Sequence, residues 1–133
     1  MSPDLPQPFF LKDGRQGVVR RAAPGDSLAI LNLRRSVIQE KSHTVVQPGE
    51  SLPSLEVQRA TVRRRSQTAG SIVLVAQVGE DVVGFLEVAN GQYRRNAHVG
   101  QLCLAVSDGW RALGIGKALM QEAVNWAERS EEL

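Results

Sequence analysis

The segment whose residue types and spacing are suited to chemistry is Gly109-Trp110-Arg111-Ala112-Leu113-Gly114-Ile115-Gly116-Lys117-Ala118-Leu119. It lies between a long apolar stretch and an amphipathic one, and two of its glycines flank a single residue. Glycine lets the backbone turn tightly enough for successive N–H groups to point outward. A helix starting at that point adds its own unpaired N–H groups and about +0.5 of an elementary charge. Such a turn holds a phosphate. Arg111 and Lys117 stand on either side of it and favour a pyrophosphate over a neutral ligand.

Two commoner phosphate loops fail on spacing. Gly109 and Gly114 are five apart, as in a Walker loop, but Ile115 and Gly116 occupy the places where Lys and Ser or Thr are required. A Rossmann fingerprint needs a third glycine where Leu119 stands, and it closes the first strand of a fold rather than the fourth. Elsewhere the reactive residues are few. Cys103 is the only cysteine, which excludes an intrachain disulfide and a cysteine metal site, and within a strand it reads as buried filler. A histidine is a residue type that can move protons near neutral pH, but His98 stands at a strand start, where a surface position is expected.

The elements that must position this turn follow from periodicity. Residues 1–15 contain three prolines and little pattern, as in a loose arm. A short β-branched strand begins at Gly17, and Pro24-Gly25-Asp26-Ser27 supplies turn chemistry and capping oxygens for a helix over Ser27 to Lys41. Its stripe is Ile30, Leu33 and Val37, with Leu31 and Ile38. Ser54 caps a second helix to about Gln67, whose stripe of Leu55 and Val62 is thin beside Arg59 and Arg63 to Arg65. From Ile72 to Val78 the chain is almost continuously apolar, as in a strand covered on both faces. Gly79-Glu80-Asp81 turns it into a hairpin with Val82 to Val88. A further turn over residues 90–96 leads to a strand from Ala97 to Val106, with Leu102, Leu104 and Val106 on one face. The last helix runs to about Ser130 on a stripe of Ile115, Leu119, Ala123 and Trp126.

Composition bounds the function. A 133-residue chain with ordinary apolar and charged content makes one domain. With no apolar run near the roughly 20 residues of a membrane span and no leader pattern, the expected location is cytoplasmic. Arginines occur in clusters at 20–21, 34–35, 63–65 and 94–95, but net charge is only +2 and no aromatic residues interleave with them. That pattern argues against a nucleic-acid partner, whose binding would appear as steeply salt-dependent affinity.

The strand, turn and helix together resemble the acetyl-CoA signature of the GNAT superfamily of N-acetyltransferases: Gln or Arg, two residues, Gly, one residue, then Gly or Ala. Here it reads Arg111, Ala112-Leu113, Gly114, Ile115, Gly116. The apolar strand ending at Val106, the Trp110-Arg111 pair and Lys117-Ala118-Leu119-Met120 match as well, and the element order from Gly17 to Ser130 follows the N-terminal two thirds of that fold. The resemblance implies an α/β fold over residues 16–133, with a central mixed sheet, helices on both faces and a missing C-terminal third. It implies acetyl-CoA as cosubstrate, no metal, and direct attack by a primary amine. Backbone N–H groups of Arg111, Ala112, Leu113, Gly114, Ile115, Gly116 and Lys117 would hold the pyrophosphate, and the strand backbone at Leu104, Ala105 and Val106 would pair with pantetheine. These roles survive substitution of Leu113 or Ile115 but not a bulky residue at Gly114 or Gly116. Many members have Gly where this chain has Ala112; if that position needs positive φ, the Cβ costs roughly 1–2 kcal/mol.

Two departures accompany the resemblance. Many such enzymes carry a Glu on the strand before the turn, where this chain has Gln101, which cannot accept a proton. Glu87 on the neighbouring strand is the candidate base in its place, with a solvated strand-face carboxylate as the competing reading. The family also continues with a strand, a helix carrying an acid Tyr, and a hairpin, whereas the sequence ends at Leu133. The expectation is a fragment or a sheet completed by another chain, as in a homodimer, and weak catalysis by these residues alone. The acceptor amine is left open, because the loops 42–53 and 90–96 that would select it carry no readable code. A CoA-binding module without catalysis is the alternative.

Overall fold

The apolar run that reads as a doubly covered strand becomes the middle of a sheet that has five strands among the described residues. The computed structural model describes residues 5–39, 54–67, 71–89 and 101–129. In chain order the elements are β1 (Gln7–Phe10), β2 (Gln16–Arg21), α1 (Ser27–Gln39), α2 (Leu55–Gln67), β3 (Ile72–Val78), β4 (Asp81–Ala89), β5 (Gln101–Val106) and α3 (Ile115–Arg129). The strands lie in sequence order, and every described pairing is antiparallel. The fold is α/β as expected, but these five strands are not mixed in direction. Among the described residues α1 and α2 lie between β2 and β3, and β3 begins at the end where β2 stopped. There the Ala22 N–H donates to the Val73 carbonyl at 2.8 Å. A single crossover helix would have made the pair parallel.

Alternation along β3 divides the core between the two faces. Ile72, Leu74 and Ala76 join Ile115, Leu119 and Ala123 of α3, while Val73 and Val75 join Ile30 and Leu33 of α1 and Val62 of α2. Burying each of these larger side chains contributes about 1.5–3 kcal/mol, so the sheet is anchored from both sides. The expected stripe of α3 is met, with Trp126 partly buried beside it. In α2, Ser54 is the N-cap, its Oγ accepting the Val57 N–H at 3.2 Å. Gln58 shares the buried side of α2 with Val62. At the start of α1, Asp26 accepts the Ala23 N–H at 2.7 Å, while Ser27 is the first helical residue and donates to the Pro24 carbonyl at 2.6 Å. Arg20 ties this corner together, donating to both oxygens of Asp26 at 2.9 Å and to Gln77 at 2.8 Å.

One expectation is corrected near the N-terminus. Residues 1–15 read as a loose arm, yet Gln7–Phe10 form the edge strand β1 and pair with Gln16 to Val19. Phe9 supplies the reason: it lies over Gly17, where a Cβ would fall 2.9 Å from its ring, and Leu11 is buried in the α3-side core. Pro8 is accommodated because an edge strand needs only one row of hydrogen bonds. The ends predicted for α1 at Lys41 and for β5 at Ala97, together with the loops 42–53 and 90–96, reach beyond the described residues.

Candidate functional site

β5 delivers the chain to the glycine turn, and the turn is held in a specific shape. Ser107 N–H donates to the Val83 carbonyl at 2.8 Å, Trp110 N–H to the Ser107 carbonyl at 3.0 Å, and Arg111 Nε to the Val106 carbonyl at 3.2 Å. Gly109 has φ 87°, Ala112 φ 63° and Gly114 φ 93°, so the backbone enters the left-handed region that disfavours a side chain three times. The condition attached to Ala112 in the sequence is therefore met. Ala118 N–H donates to the Gly114 carbonyl at 3.0 Å, closing the first turn of α3. The N–H groups of residues 115–117 stand ahead of that ladder and face outward with the positive end of a 15-residue helix.

A groove of about 460 Å³ opens here, lined by Leu104, Ala105, Val106, Trp110, Arg111, Ala112, Gly114, Ile115, Gly116 and Lys117. The structure thus brings together all the residues singled out for the cofactor except Leu113. The Leu113 side chain packs against the α3-side core, and its carbonyl accepts the Lys12 N–H at 2.9 Å. Trp110 is the addition, and Arg15 lies over its ring at 4.5 Å from the centroid. Among the described residues no strand pairs with the outer edge of β5, so its backbone groups on that side border the groove. The groove can receive an extended polar arm along β5 and an anion at the helix end.

Gly84 decides how deeply α3 seats. A Cβ there would lie 3.1 Å from Ile115, 3.2 Å from Leu119 and 3.3 Å from the Ala105 carbonyl, so the helix rests almost on the backbone of β4. Sequence reading passed over it, although a glycine inside a strand pattern is a known sign of close approach. By contrast, a Cβ on Gly116 would meet Leu104 and Val106 only at 3.8 and 3.9 Å, ordinary contact distances.

The candidate base has a different setting from the one imagined. Glu87 is 7% exposed, so the solvated reading is corrected. One carboxylate oxygen accepts from Arg34 of α1, and the other accepts from Arg65 of α2 at 2.7 Å. Arg34 also lies over the Phe85 ring, 5.0 Å from its centroid. The cluster sits on the α1/α2 face, two ladder positions from the Phe85–Ala105 pair that reaches the groove. Taking a proton from a substrate would cost Glu87 one of these charge-assisted bonds. Cys103, opposite Glu87 in the ladder, is exposed rather than buried filler, because the strand is at the sheet edge, and Arg34 approaches its Sγ at 3.9 Å. Gln101 opens β5, while His98 lies outside the described residues.

Similarity to known proteins agrees with this geometry. A family model described as an acetyltransferase (GNAT) domain matches residues 69–133. Among solved structures, a GNAT-family acetyltransferase from Streptococcus pneumoniae superposes with a TM-score of 0.78 at 24% identity, over 88% of this chain and 70% of that one. A ribosomal-protein-alanine N-acetyltransferase from Brucella melitensis gives 0.71 at 26% identity, over 83% and 66%. The YncA protein of Salmonella typhimurium, solved with its cofactor acetyl-CoA, gives 0.73 at 18% identity, over 85% and 64%. The chain therefore spans about two thirds of the length of these proteins. No curated protein matches it closely enough to count as a relative.

Proposed function

We propose that the chain is a member of the GNAT acetyltransferase family, whose model matches residues 69–133, and that it binds acetyl-CoA and transfers the acetyl group to a primary amine. The observation that carries this reading is the groove in which the outer edge of β5 leads directly into a turn with three positive-φ residues before α3. Pantetheine fits the backbone of Leu104, Ala105 and Val106, and the pyrophosphate fits the N–H groups from Arg111 to Lys117. Among the described residues no helix is long and apolar enough to cross a membrane, and we place the reaction in the cytoplasm.

The acceptor must arrive as a neutral amine, which at pH 7 costs roughly 4–5 kcal/mol for a lysine-like group. Its lone pair forms the bond to the thioester carbon, the carbon–sulfur bond breaks, and CoA leaves as the thiol with one proton from the amine. Glu87 is the candidate proton acceptor, provided one arginine turns away when substrate binds. Direct attack needs no acetyl-enzyme, so Cys103→Ala should retain turnover despite the neighbouring guanidinium. An isolable acetyl-Cys103 peptide would refute that route.

Calorimetric titration of CoA against pantetheine tests the cofactor assignment. CoA should bind more tightly, whereas equal affinities would show that the turn contributes nothing to phosphate binding. A thiol-release assay with a panel of amines tests catalysis. The paired state of Glu87 favours a second reading, a CoA-binding module without turnover. Tight CoA binding with no thiol release would select it.

A further inference from the structure

We propose that Lys12, from the turn between β1 and β2, is a ligand for the phosphates of the coenzyme, an inference that rests on the acetyl-CoA reading of the groove. The turn over residues 11–15 is folded on itself, with Leu11 N–H donating to the Arg15 carbonyl at 2.8 Å and Gly14 N–H to the Leu11 carbonyl at 2.9 Å. It is also fastened to the glycine turn a hundred residues later. Lys12 N–H donates to the Leu113 carbonyl at 2.9 Å, Arg15 stacks on Trp110, and Leu11 is buried in the same core cluster as Ile115. The hydrogen bond and the ring contact hold the two turns side by side, over a shared core.

The Lys12 stem consequently runs beside Gly114, with its Cγ 3.9 Å from the position a Cβ would take there. Gly114 lines the groove, and the ammonium is three bonds beyond Cγ, a stem long enough to reach an anion held at the helix end. Its charge is available. Asp13, the nearest acid in sequence, is held by Arg15 through Nε at 2.8 Å and through a second guanidinium nitrogen. That side-chain hydrogen bond is the main reason the Asp13 carboxyl titrates below its usual range. Among the described residues the Lys12 ammonium makes no hydrogen bond or ion pair. The Asp13–Arg15 pair is neutral as a unit, so the turn presents one net positive charge beside the glycine turn. A flexible ammonium suits an anion with several oxygens, which it meets as a point charge.

Titration calorimetry with CoA, dephospho-CoA and pantetheine tests this on the wild-type chain and on Lys12→Gln and Lys12→Arg. Lys12 is exposed, and matching melting curves confirm that the fold is unchanged. Lys12→Gln should weaken CoA roughly three- to tenfold at low ionic strength, with the difference shrinking as salt is added. Pantetheine should bind equally to all three proteins, and Lys12→Arg should restore most of the CoA affinity. An equal loss with dephospho-CoA places Lys12 on the pyrophosphate; a loss confined to CoA places it on the 3′-phosphate. Unchanged CoA affinity in Lys12→Gln overturns the proposal and leaves the groove assignment standing, as does an equal loss for pantetheine, which would mark a purely structural role. Failure of the wild-type chain to bind CoA overturns the coenzyme reading itself.

Discussion

Ala112→Gly should make this protein more stable, although it deletes a side-chain carbon and adds no contact. Ala112 has φ 63°, where an L residue pays about 1–2 kcal/mol because its Cβ crowds the following carbonyl. Its side chain is exposed, so removing the methyl sacrifices no core packing. Glycine abolishes the crowding but enlarges the conformational freedom of the unfolded chain, which offsets roughly 0.5–1 kcal/mol. The net gain is about 0.5–1 kcal/mol. With an unfolding entropy near 2.1 cal/mol/K per residue, that corresponds to a rise of about 2–4 °C in Tm. Thermal unfolding followed by circular dichroism, with calorimetry to check that the transition is two-state, measures it. Gly114→Ala is the control of opposite sign, because it places a Cβ at φ 93°. A Tm for Ala112→Gly that is unchanged or lower would refute the reasoning, since the turn would then impose no left-handed strain on residue 112.

The other predictions concern what surrounds that turn. Gly116→Ala should leave the fold intact or up to about 1 kcal/mol more stable in urea melts, as alanine suits a helix better and its Cβ meets nothing closer than 3.8 Å. Gly114→Val confounds binding with folding through its positive φ, so Gly116→Val is the cleaner variant and should weaken CoA roughly tenfold by filling the groove. Gly84→Ala should cost about 1–3 kcal/mol, because α3 must lift from β4 to admit the methyl, and an unchanged denaturation midpoint would contradict the close packing. Glu87→Ala leaves Arg34 and Arg65 facing each other. Buried pairs broken in this way cost about 3–5 kcal/mol, and the partial exposure of both arginines reduces that to roughly 2–3 in a urea titration. For Asp26, burial alone would raise the carboxyl pKa, but the hydrogen bonds from Arg20 and the Ala23 N–H together outweigh it and hold the pKa below normal. Its folded-state pKa being depressed, Asp26 stabilises the protein above the unfolded value of about 4, and that contribution is lost as pH falls through the folded pKa. Asp26→Asn should therefore flatten the fall in stability below about pH 4, and an identical acid profile in the variant would rule this out.

What could be read from the amino-acid order was what local backbone demands write into it. The spacing Arg111, Gly114, Gly116 identified the turn, the period-3.6 stripe from Ile115 to Trp126 identified α3, and the run Ile72 to Val78 identified a strand with two covered faces. Ser54 was legible as a cap because a hydroxyl before a helix has few other uses. Each is a requirement that a short stretch of chain meets with its own residues. The tertiary structure alone decided which distant side chains meet. No local pattern announces that Phe9 will lie over Gly17 and turn a proline-rich start into a strand, or that Lys12 and Arg15 will stand beside Gly114 and Trp110. Nor does the alternation around Glu87 reveal that arginines from two different helices will take its two oxygens. Those partners are set by sheet register and by how closely α3 seats on Gly84, and both depend on contacts between residues far apart in the chain.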